Sequence, residues 1–196
     1  ILYDKNITRL ITYPSVKTGH TYTAPSTLKT VGGYAFANTI LLSAVLLNEG
    51  LTTIEHYAFK YSLLEFNNRG QMYIPSTVNN IDTTAFTHAT SIGYITVSED
   101  NNHYKSINGV LYDKNITILM RLPAARANSS FVIPNTVTTI VEGAIGEQNQ
   151  LLELTIPAGI TKLYLDRCQN LQTIYGKTGS YAETWANEHN ITFIAI

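Results

Sequence analysis

With 196 residues and 44% hydrophobic content, the chain is long enough to bury a sizeable core, most simply as one domain. Its formal net charge is −1 and only 14% of its residues are charged, so it offers no basic stripe for nucleic acid or anionic lipid. One cysteine excludes an intrachain disulfide, and the lack of any run of about 18 apolar residues predicts no membrane insertion in this segment.

The chain opens with a sequence that returns later. Ile1–Thr8 (ILYDKNIT) copies Val110–Thr117 (VLYDKNIT), and in both copies two apolar runs flank Asp-Lys-Asn. This arrangement is typical of a β-hairpin, and we expect each hairpin to project from the molecule. The first copy lacks the lead-in Tyr104–Gly109, so we expect a secretion signal, an anchor and further domains outside these residues.

From residue 25 onward the chain repeats a spacing of roughly 23 residues. A typical unit has a proline, aliphatic residues three and six positions later, an Ala-Phe pair at positions ten and eleven, and a closing apolar-x-apolar stretch. In one unit these residues are Pro75, Val78, Ile81, Ala85-Phe86 and Ile95–Val97. Further units start at Pro25, Asn48, Pro134 and, in shortened form, Pro157. This period predicts a solenoid, whose units bury their apolar edges against one another.

The closing stretch of a unit has the alternation of a strand with its apolar side chains inward. The proline that follows has no amide hydrogen, so the strand ends there. The Ala-Phe pair predicts a tight corner with the ring in the interior. We expect the rings and the aliphatic residues beside them to form a spine, made of Phe36, Phe59 and Phe86 with Val31, Ile54 and Ile81.

The end of the chain predicts a helix followed by a strand. Ser180 and Glu183 have the spacing of a capping box, and Asn190 is a plausible left-handed stop. The helix would have an apolar edge formed by Tyr181, Ala182, Trp185 and Ala186. Together with a strand at Ile191–Ile196, this helix would cap the open end of the stack.

The units resemble the BspA-like leucine-rich repeats of bacterial surface proteins, which read roughly L-x-x-V-x-I-P-x-x-V-x-x-I-x-x-x-A-F-x-x-C. Ile74-Pro75 with Ala85-Phe86, and Ile156-Pro157 with Cys168-x-x-Leu171, carry a resemblance that covers nearly the whole chain. The departures are Leu47-Asn48 for Ile-Pro, Ile145 for Phe, and Thr39, Ser62, Ala89 and Gln148 at the cysteine position. Mostly small residues at that position make Cys168 a packing residue.

The resemblance implies a leucine-rich-repeat solenoid that is right-handed and mainly β, with a parallel sheet, little helix and a C-terminal helix–strand cap. We expect a single domain over residues 1–196. Its parts are a partial hairpin segment, repeats, a hairpin insertion, further repeats and the cap, at residues 1–24, 25–97, 98–133, 134–175 and 176–196.

No residue pattern points to catalysis or to a cofactor. The spacing of the five histidines does not fit a metal site. They are His20, His56, His88, His103 and His189. Glu99–Asn102 groups oxygen ligands without the spacing of a calcium loop. Nothing selects Glu65, Glu153 or Asp166 as an acid pair for glycoside hydrolysis. We therefore expect a non-enzymatic protein without cofactor or metal.

The outward residues of successive strands line up on one face, expected to be concave, and give a candidate binding surface. Its candidate residues are Leu46, Gln71, Tyr73, Tyr94, Thr96, Val132, Glu153, Thr155 and Tyr175. Exposed tyrosines favour contact with a partner, although Tyr and Thr are also simply good strand residues.

Three functional hypotheses remain open. The resemblance implies an extracellular or cell-surface recognition module that binds a host matrix protein or another surface protein. The second hypothesis is a structural spacer of a larger surface protein. The third is a carbohydrate-binding accessory module, in which tyrosines stack on sugar rings.

Overall fold

The computed structural model describes residues 1–19, 21–42, 44–62, 71–125, 128–147, 150–165 and 168–196. The chain forms a β-solenoid of about seven turns, mostly strands, with a short helix near its C-terminus. This is the predicted leucine-rich-repeat architecture.

Within the described residues, nine strands precede the hairpin insertion. They are β1 (Leu2–Tyr3), β2 (Arg9–Thr12), β3 (Thr21–Thr23), β4 (Thr30–Val31), β5 (Ala44–Leu46), β6 (Thr53–Ile54), β7 (Gln71–Ile74), β8 (Asn80–Ile81) and β9 (Tyr94–Val97). The remaining elements are β10 (Tyr104–Ile107), β11 (Val110–Asp113), β12 (Ile118–Arg121), β13 (Ser130–Val132), β14 (Thr139–Ile140), β15 (Glu153–Thr155), β16 (Thr173–Gly176), α1 (Tyr181–Glu188) and β17 (Thr192–Ala195).

Each full repeat contributes one strand to each of two walls, and both walls are stacked in parallel, whereas the described part of the shortened repeat at Pro157 contributes only β16. On one wall β4, β6 and β8 pair so that Val31, Ile54 and Ile81 stand in register, one from each of three successive repeats. On the other wall β3 pairs with β5 and β7 pairs with β9. A tight turn joins the walls, closed in the unit at Pro75 by the Val78 amide donating to the Pro75 carbonyl at 3.3 Å. The proline thus ends one strand and opens the turn, as its missing amide hydrogen requires.

The predicted spine of phenylalanines is confirmed. The Phe36 and Phe59 rings stack with centroids 5.1 Å apart, and those of Phe59 and Phe86 stack at 5.5 Å. All three side chains are buried. Tyr13 and Tyr22 extend the column, with centroids 5.7 and 5.1 Å from Phe36.

The Ala-Phe corners stack by backbone hydrogen bonds and use strained backbone conformations. The Phe36 amide donates to the Ala58 carbonyl of the next unit at 2.8 Å. The residue before the alanine has positive φ in three units, +59° at Tyr34, +52° at Tyr57 and +76° at Gly143. Glycine adopts this left-handed conformation without steric cost, whereas a tyrosine needs support from its surroundings.

The hairpin predicted around Asp113 is present, but the expectation that it projects is wrong. Strands β10, β11 and β12 form an antiparallel meander, and β12 then pairs in parallel with β14 of the next repeat. The side chains of Val110, Leu111 and Tyr112 are all buried, so β11 has protein on both faces. The insertion therefore occupies a place in the stack, because its apolar residues can be buried only between neighbouring repeats.

The buried side chains form two clusters that meet at this insertion. The first reaches from Leu10 to Tyr104 and includes Leu111, and the second reaches from Val110 to Ala186. Neighbouring residues of β11 thus point into different clusters, as the alternation of side chains along a strand requires.

The C-terminal helix begins after Ser180, as predicted, but its cap and buried edge differ from expectation. The Glu183 carboxylate accepts from the Gly179 amide at 2.6 Å, while the Ser180 hydroxyl is buried and makes no hydrogen bond. Ala182 and Ala186 are the buried residues of the helix, and Tyr181 is 39% exposed, so Tyr181 does not belong to the apolar edge. Small side chains face β16 because the helix lies close to that strand.

The chain leaves the helix and closes the sheet as predicted. Asn190 has a φ of +56°, the left-handed stop expected there. Strand β17 then pairs in parallel with β16, opposing Thr192 to Thr173 and Ile194 to Tyr175.

Candidate functional site

Five of the sequence-selected residues lie together on the strands of the first half. We call Leu46, Gln71, Tyr73, Tyr94 and Thr96 the N-terminal strand patch. Tyr73 lies opposite Thr96 and Tyr94 lies opposite Gln71, so the two tyrosines stand diagonally across β7 and β9. The exposed fractions are 55% for Leu46, 44% for Tyr73 and 40% for Tyr94. The patch thus presents one aliphatic and two aromatic side chains to solvent.

The other four sequence-selected residues form a second group. We call Val132, Glu153, Thr155 and Tyr175 the C-terminal strand patch. Val132, Thr155 and Tyr175 occupy one register position across β13, β15 and β16. Ile194 continues this row on β17 and was not selected from the sequence, although the alternation in Ile191–Ile196 could have placed it there.

The hairpin insertion separates the two patches. Strand β9 contacts β10 and β11, and the Ile95 amide donates to the Gly109 carbonyl at 3.0 Å. The Tyr94 ring lies directly over Gly109, where an added Cβ would come within 2.4 Å of the ring. Gly109 also has a φ of +81°. Tyr94 is therefore held against the insertion, whereas the Tyr73 hydroxyl reaches Glu49 at 3.4 Å.

A cleft on the flank of the solenoid, away from both patches, was not anticipated from the sequence. Its volume is about 240 Å³. It lies where the Ala-Phe corners of three units meet the insertion, and we call it the flank cleft. Its lining consists of Tyr57, Lys60, Thr84, Thr87, His88, Arg121, Glu142, Gly143, Gly146, Glu147 and Tyr164. Among these described lining residues there is no Val, Leu, Ile or Met, whereas the strand patches include Leu46 and Val132.

Charged side chains from both halves of the chain meet at the flank cleft. His88 Nδ1 contacts the Glu147 carboxylate, and Arg121 Nη2 lies 3.9 Å from the other oxygen of that carboxylate. Arg121 also donates to the Gly143 carbonyl at 2.6 Å and to the Ala89 carbonyl at 3.4 Å. Arg121 is 1% exposed, and this burial lowers its pKa to about 10, so the guanidinium stays charged at neutral pH.

An aromatic row leads up to the flank cleft. The Lys60 ammonium lies 4.6 Å from the Tyr57 ring, 5.4 Å from Tyr61 and 6.0 Å from Tyr34, within reach of cation–π attraction. Tyr61 stacks on His88 with centroids 4.7 Å apart. At the repeat position of Tyr34 and Tyr57 the later units have Thr84 and Gly143. The smaller side chains at this position leave room for the cleft. The change from tyrosine to threonine and glycine is visible when the repeats are aligned, so the sequence could have indicated the cleft.

Two other residues considered for chemistry, Asn101 and Cys168, have structural roles. Asn101 is fully buried, and its amide donates to the Pro75 carbonyl at 2.8 Å and to the Val78 carbonyl at 2.9 Å. Cys168 is buried and its thiol donates to the Ile145 carbonyl at 2.8 Å, which agrees with a packing role. At the same repeat position the Thr39 and Ser62 hydroxyls each donate to the phenylalanine carbonyl three residues back, at 2.9 and 2.7 Å.

Four of the residues considered above lie outside the described residues, namely His20, Glu65, Gln148 and Asp166. Among the residues that the structure describes, no three His, Cys, Asp or Glu side chains come together as a metal site. In the same part of the chain, no helix has the length and hydropathy needed to cross a membrane.

Comparison with known proteins agrees with the fold. The model of the BspA type leucine-rich repeat region matches in six copies over residues 16–119 and 125–181. No curated protein matches the chain.

Three solved structures are similar. The pneumococcal vaccine antigen PcpA superposes with a TM-score of 0.65 at 22% identity, over 80% of this chain and 41% of that one. A leucine-rich repeat protein from Eubacterium ventriosum superposes with a TM-score of 0.60 at 26% identity, over 89% of this chain and 49% of that one. A leucine rich cell surface protein from Faecalibacterium prausnitzii superposes with a TM-score of 0.59 at 23% identity, over 90% of this chain and 59% of that one. The chain thus spans between two fifths and three fifths of these proteins.

Proposed function

Because the chain belongs to the BspA-type leucine-rich repeat family, we propose that it is a non-enzymatic recognition module of a cell-surface or secreted protein. Its ligand is a protein, such as a host matrix protein or another surface protein, bound on the strand patches. The family supports this proposal, since its repeats are typical of protein-interaction modules. So do two of the similar structures, one described as a vaccine antigen and one as a cell surface protein.

The observation that carries the proposal is the exposure of apolar side chains on β5, β7 and β9. Leu46, Tyr73 and Tyr94 keep 40% to 55% of their surface in solvent, although each stands on a regular strand beside buried neighbours. Tyrosine contributes a large, stiff contact area at low entropic cost, which is why it is frequent in binding hot spots. The central position of Tyr73 in the N-terminal strand patch makes it the strongest candidate anchor.

The test is a Tyr73→Ala/Tyr94→Ala variant compared with the parent for binding to purified matrix proteins and to whole cells. We expect the variant to lose about 2 kcal/mol of binding free energy, roughly a thirtyfold weaker dissociation constant, because alanine removes two central anchors. Since Tyr94 packs on Gly109, Tyr73→Ala alone is measured as well, and thermal unfolding of each variant shows that the fold is kept.

The matched control is Tyr181→Ala, which removes a tyrosine of similar exposure from the cap helix, outside both patches. It should bind as the parent does. Binding of the double variant at parental strength would remove the N-terminal strand patch from consideration. If the parent itself binds none of these partners, the spacer hypothesis is favoured instead.

A further inference from the structure

The flank cleft has a chemistry of its own that the strand patches do not explain. Among the described residues its lining contains two cations, Lys60 and Arg121, and two carboxylates, Glu142 and Glu147. These four described charges balance one another, so between them they favour neither an anion nor a cation. The described lining is polar and aromatic, which suits a polar ligand better than a lipid chain or a leucine-type side chain.

The cleft offers both kinds of hydrogen-bonding group within a small volume. Lysine and arginine can only donate and ionised carboxylates can only accept, while the hydroxyls of Thr84, Thr87 and the two tyrosines do either. A ligand hydroxyl also donates and accepts at once, so a ligand with several hydroxyls can satisfy both sets of groups. Tyr57 and Tyr164 add aromatic surface that can contact the apolar face of a sugar ring, and each ring already has an ammonium beside it, Lys60 at 4.6 Å and Lys162 at 4.8 Å from the ring centroids.

The size of the cleft limits the ligand to one such unit. Drug-sized ligands occupy pockets of about 300–1,000 Å³. The flank cleft, at about 240 Å³, is smaller than that range and is therefore suited to a single sugar unit.

A buried donor at the cleft independently points to an oxygen-bearing ligand. Arg121 has five N–H donors, and its buried Nε has no hydrogen-bond partner among the described residues. A buried donor left unpaired is unfavourable, so an acceptor brought by a ligand would stabilise the complex. The guanidinium is fixed by its bonds to the Gly143 and Ala89 carbonyls, so the binding group is held in place before the ligand arrives.

We propose that the flank cleft binds a neutral sugar unit of a glycan. Tyr57 and Tyr164 supply the aromatic walls, Glu142 accepts from the sugar hydroxyls, and Arg121 and Lys60 donate to them. This site is separate from the strand patches and does not depend on their binding a protein. The row of Tyr34, Tyr57 and Tyr61 that leads to the cleft provides a surface along which the next units of the same glycan lie.

The test is saturation-transfer NMR on the whole chain with free glucose, galactose, mannose and N-acetylglucosamine, followed by titration of the sugar with the strongest signal. Parallel samples contain acetate, arginine or alanine as anionic, cationic and zwitterionic probes. We expect saturation transfer to at least one neutral sugar with a dissociation constant in the millimolar range, and no comparable binding of the charged probes.

Two variants connect the binding to the cleft. Tyr164→Ala removes one aromatic wall, and Glu142→Gln replaces an exposed carboxylate by a weaker acceptor of the same shape. Each should weaken sugar binding at least tenfold, while Tyr73→Ala on the N-terminal strand patch should leave it unchanged. Should Tyr164→Ala fail to fold, Glu142→Gln decides alone, since it changes an exposed side chain without changing its volume.

Three outcomes would overturn the proposal. These are the absence of binding by any neutral sugar, stronger binding of acetate, arginine or alanine than of the sugars, and sugar binding that Glu142→Gln leaves intact. None of them bears on protein binding by the strand patches, which is measured with different ligands and with Tyr73→Ala.

Discussion

At the residue scale, one phenylalanine ring per turn fills the interior of the first half of the solenoid. Phe59 stacks on Phe36 on one side and on Phe86 on the other, and it is fully buried. The rings can follow one another because the corner alanines, such as Ala58 and Ala85, leave room for the backbones to approach. Each phenylalanine therefore contributes both buried area and contact with the next turn.

Replacing Phe86 by alanine should lower the free energy of unfolding by about 3–5 kcal/mol, because the apolar transfer energy is lost and the rigid neighbours leave a cavity. Urea denaturation of the variant and the parent measures this difference. Leu46→Ala serves as the comparison, since Leu46 is 55% exposed and its loss should cost at most about 0.5 kcal/mol. An unchanged midpoint for Phe86→Ala would mean that this ring does not support the spine.

At the element scale, the C-terminal helix and strand protect the last repeat. Strand β17 supplies the pairing partner of β16, and Ala182 and Ala186 of the helix lie buried in the second cluster. Without them, β16 would present an unpaired edge and the apolar groups now covered by the helix. Such an edge is a template for association with another chain.

Deletion of residues 180–196 should therefore yield a protein that self-associates or precipitates, because an unpaired strand and apolar surface become exposed together. Size-exclusion chromatography with light scattering reports the change at several concentrations. The control is Tyr181→Ala, which alters an exposed residue of the same helix and should remain in the parental state. A deleted protein that stays soluble and monomeric would contradict the capping role.

At the scale of the whole molecule, the hairpin insertion joins the two core clusters. The Tyr104 hydroxyl accepts from the Ile81 amide of the first half at 2.8 Å, and β12 pairs with β14 of the second half. Arg121, at the end of β12, donates to a carbonyl on each side, those of Ala89 and Gly143. The two halves are thus connected by a buried polar contact as well as by apolar packing.

Arg121→Leu should lower the free energy of unfolding by about 3–5 kcal/mol, because two carbonyls and the Glu147 carboxylate each lose a buried cationic neighbour. Calorimetry measures the loss and shows whether the single transition splits into two. The matched control is Arg9→Leu, which breaks the Arg9–Glu55 ion pair, where the arginine side chain is 43% exposed. That pair should contribute about 1 kcal/mol or less. Equal losses in the two variants would show that Arg121 does not join the halves.

The sequence by itself determined the repeat strands, the walls, the phenylalanine spine and the C-terminal cap. These features depend on patterns that return every unit, so one short-range rule places many residues at once. The same rule placed Tyr73 and Tyr94 on the outward side of neighbouring strands. It did not show that Ala182 rather than Tyr181 faces β16, because that depends on how the helix sits on the sheet.

Only the tertiary structure decided what the insertion does and where the flank cleft lies. His88 and Glu147 are 59 residues apart, and their contact requires the hairpin to fold into the stack rather than project from it. No local pattern fixes that choice, since the same alternation fits an exposed hairpin as well as a buried one. The choice depends on whether Leu111 and Tyr112 can be buried between two repeats, and this is a property of the assembled solenoid.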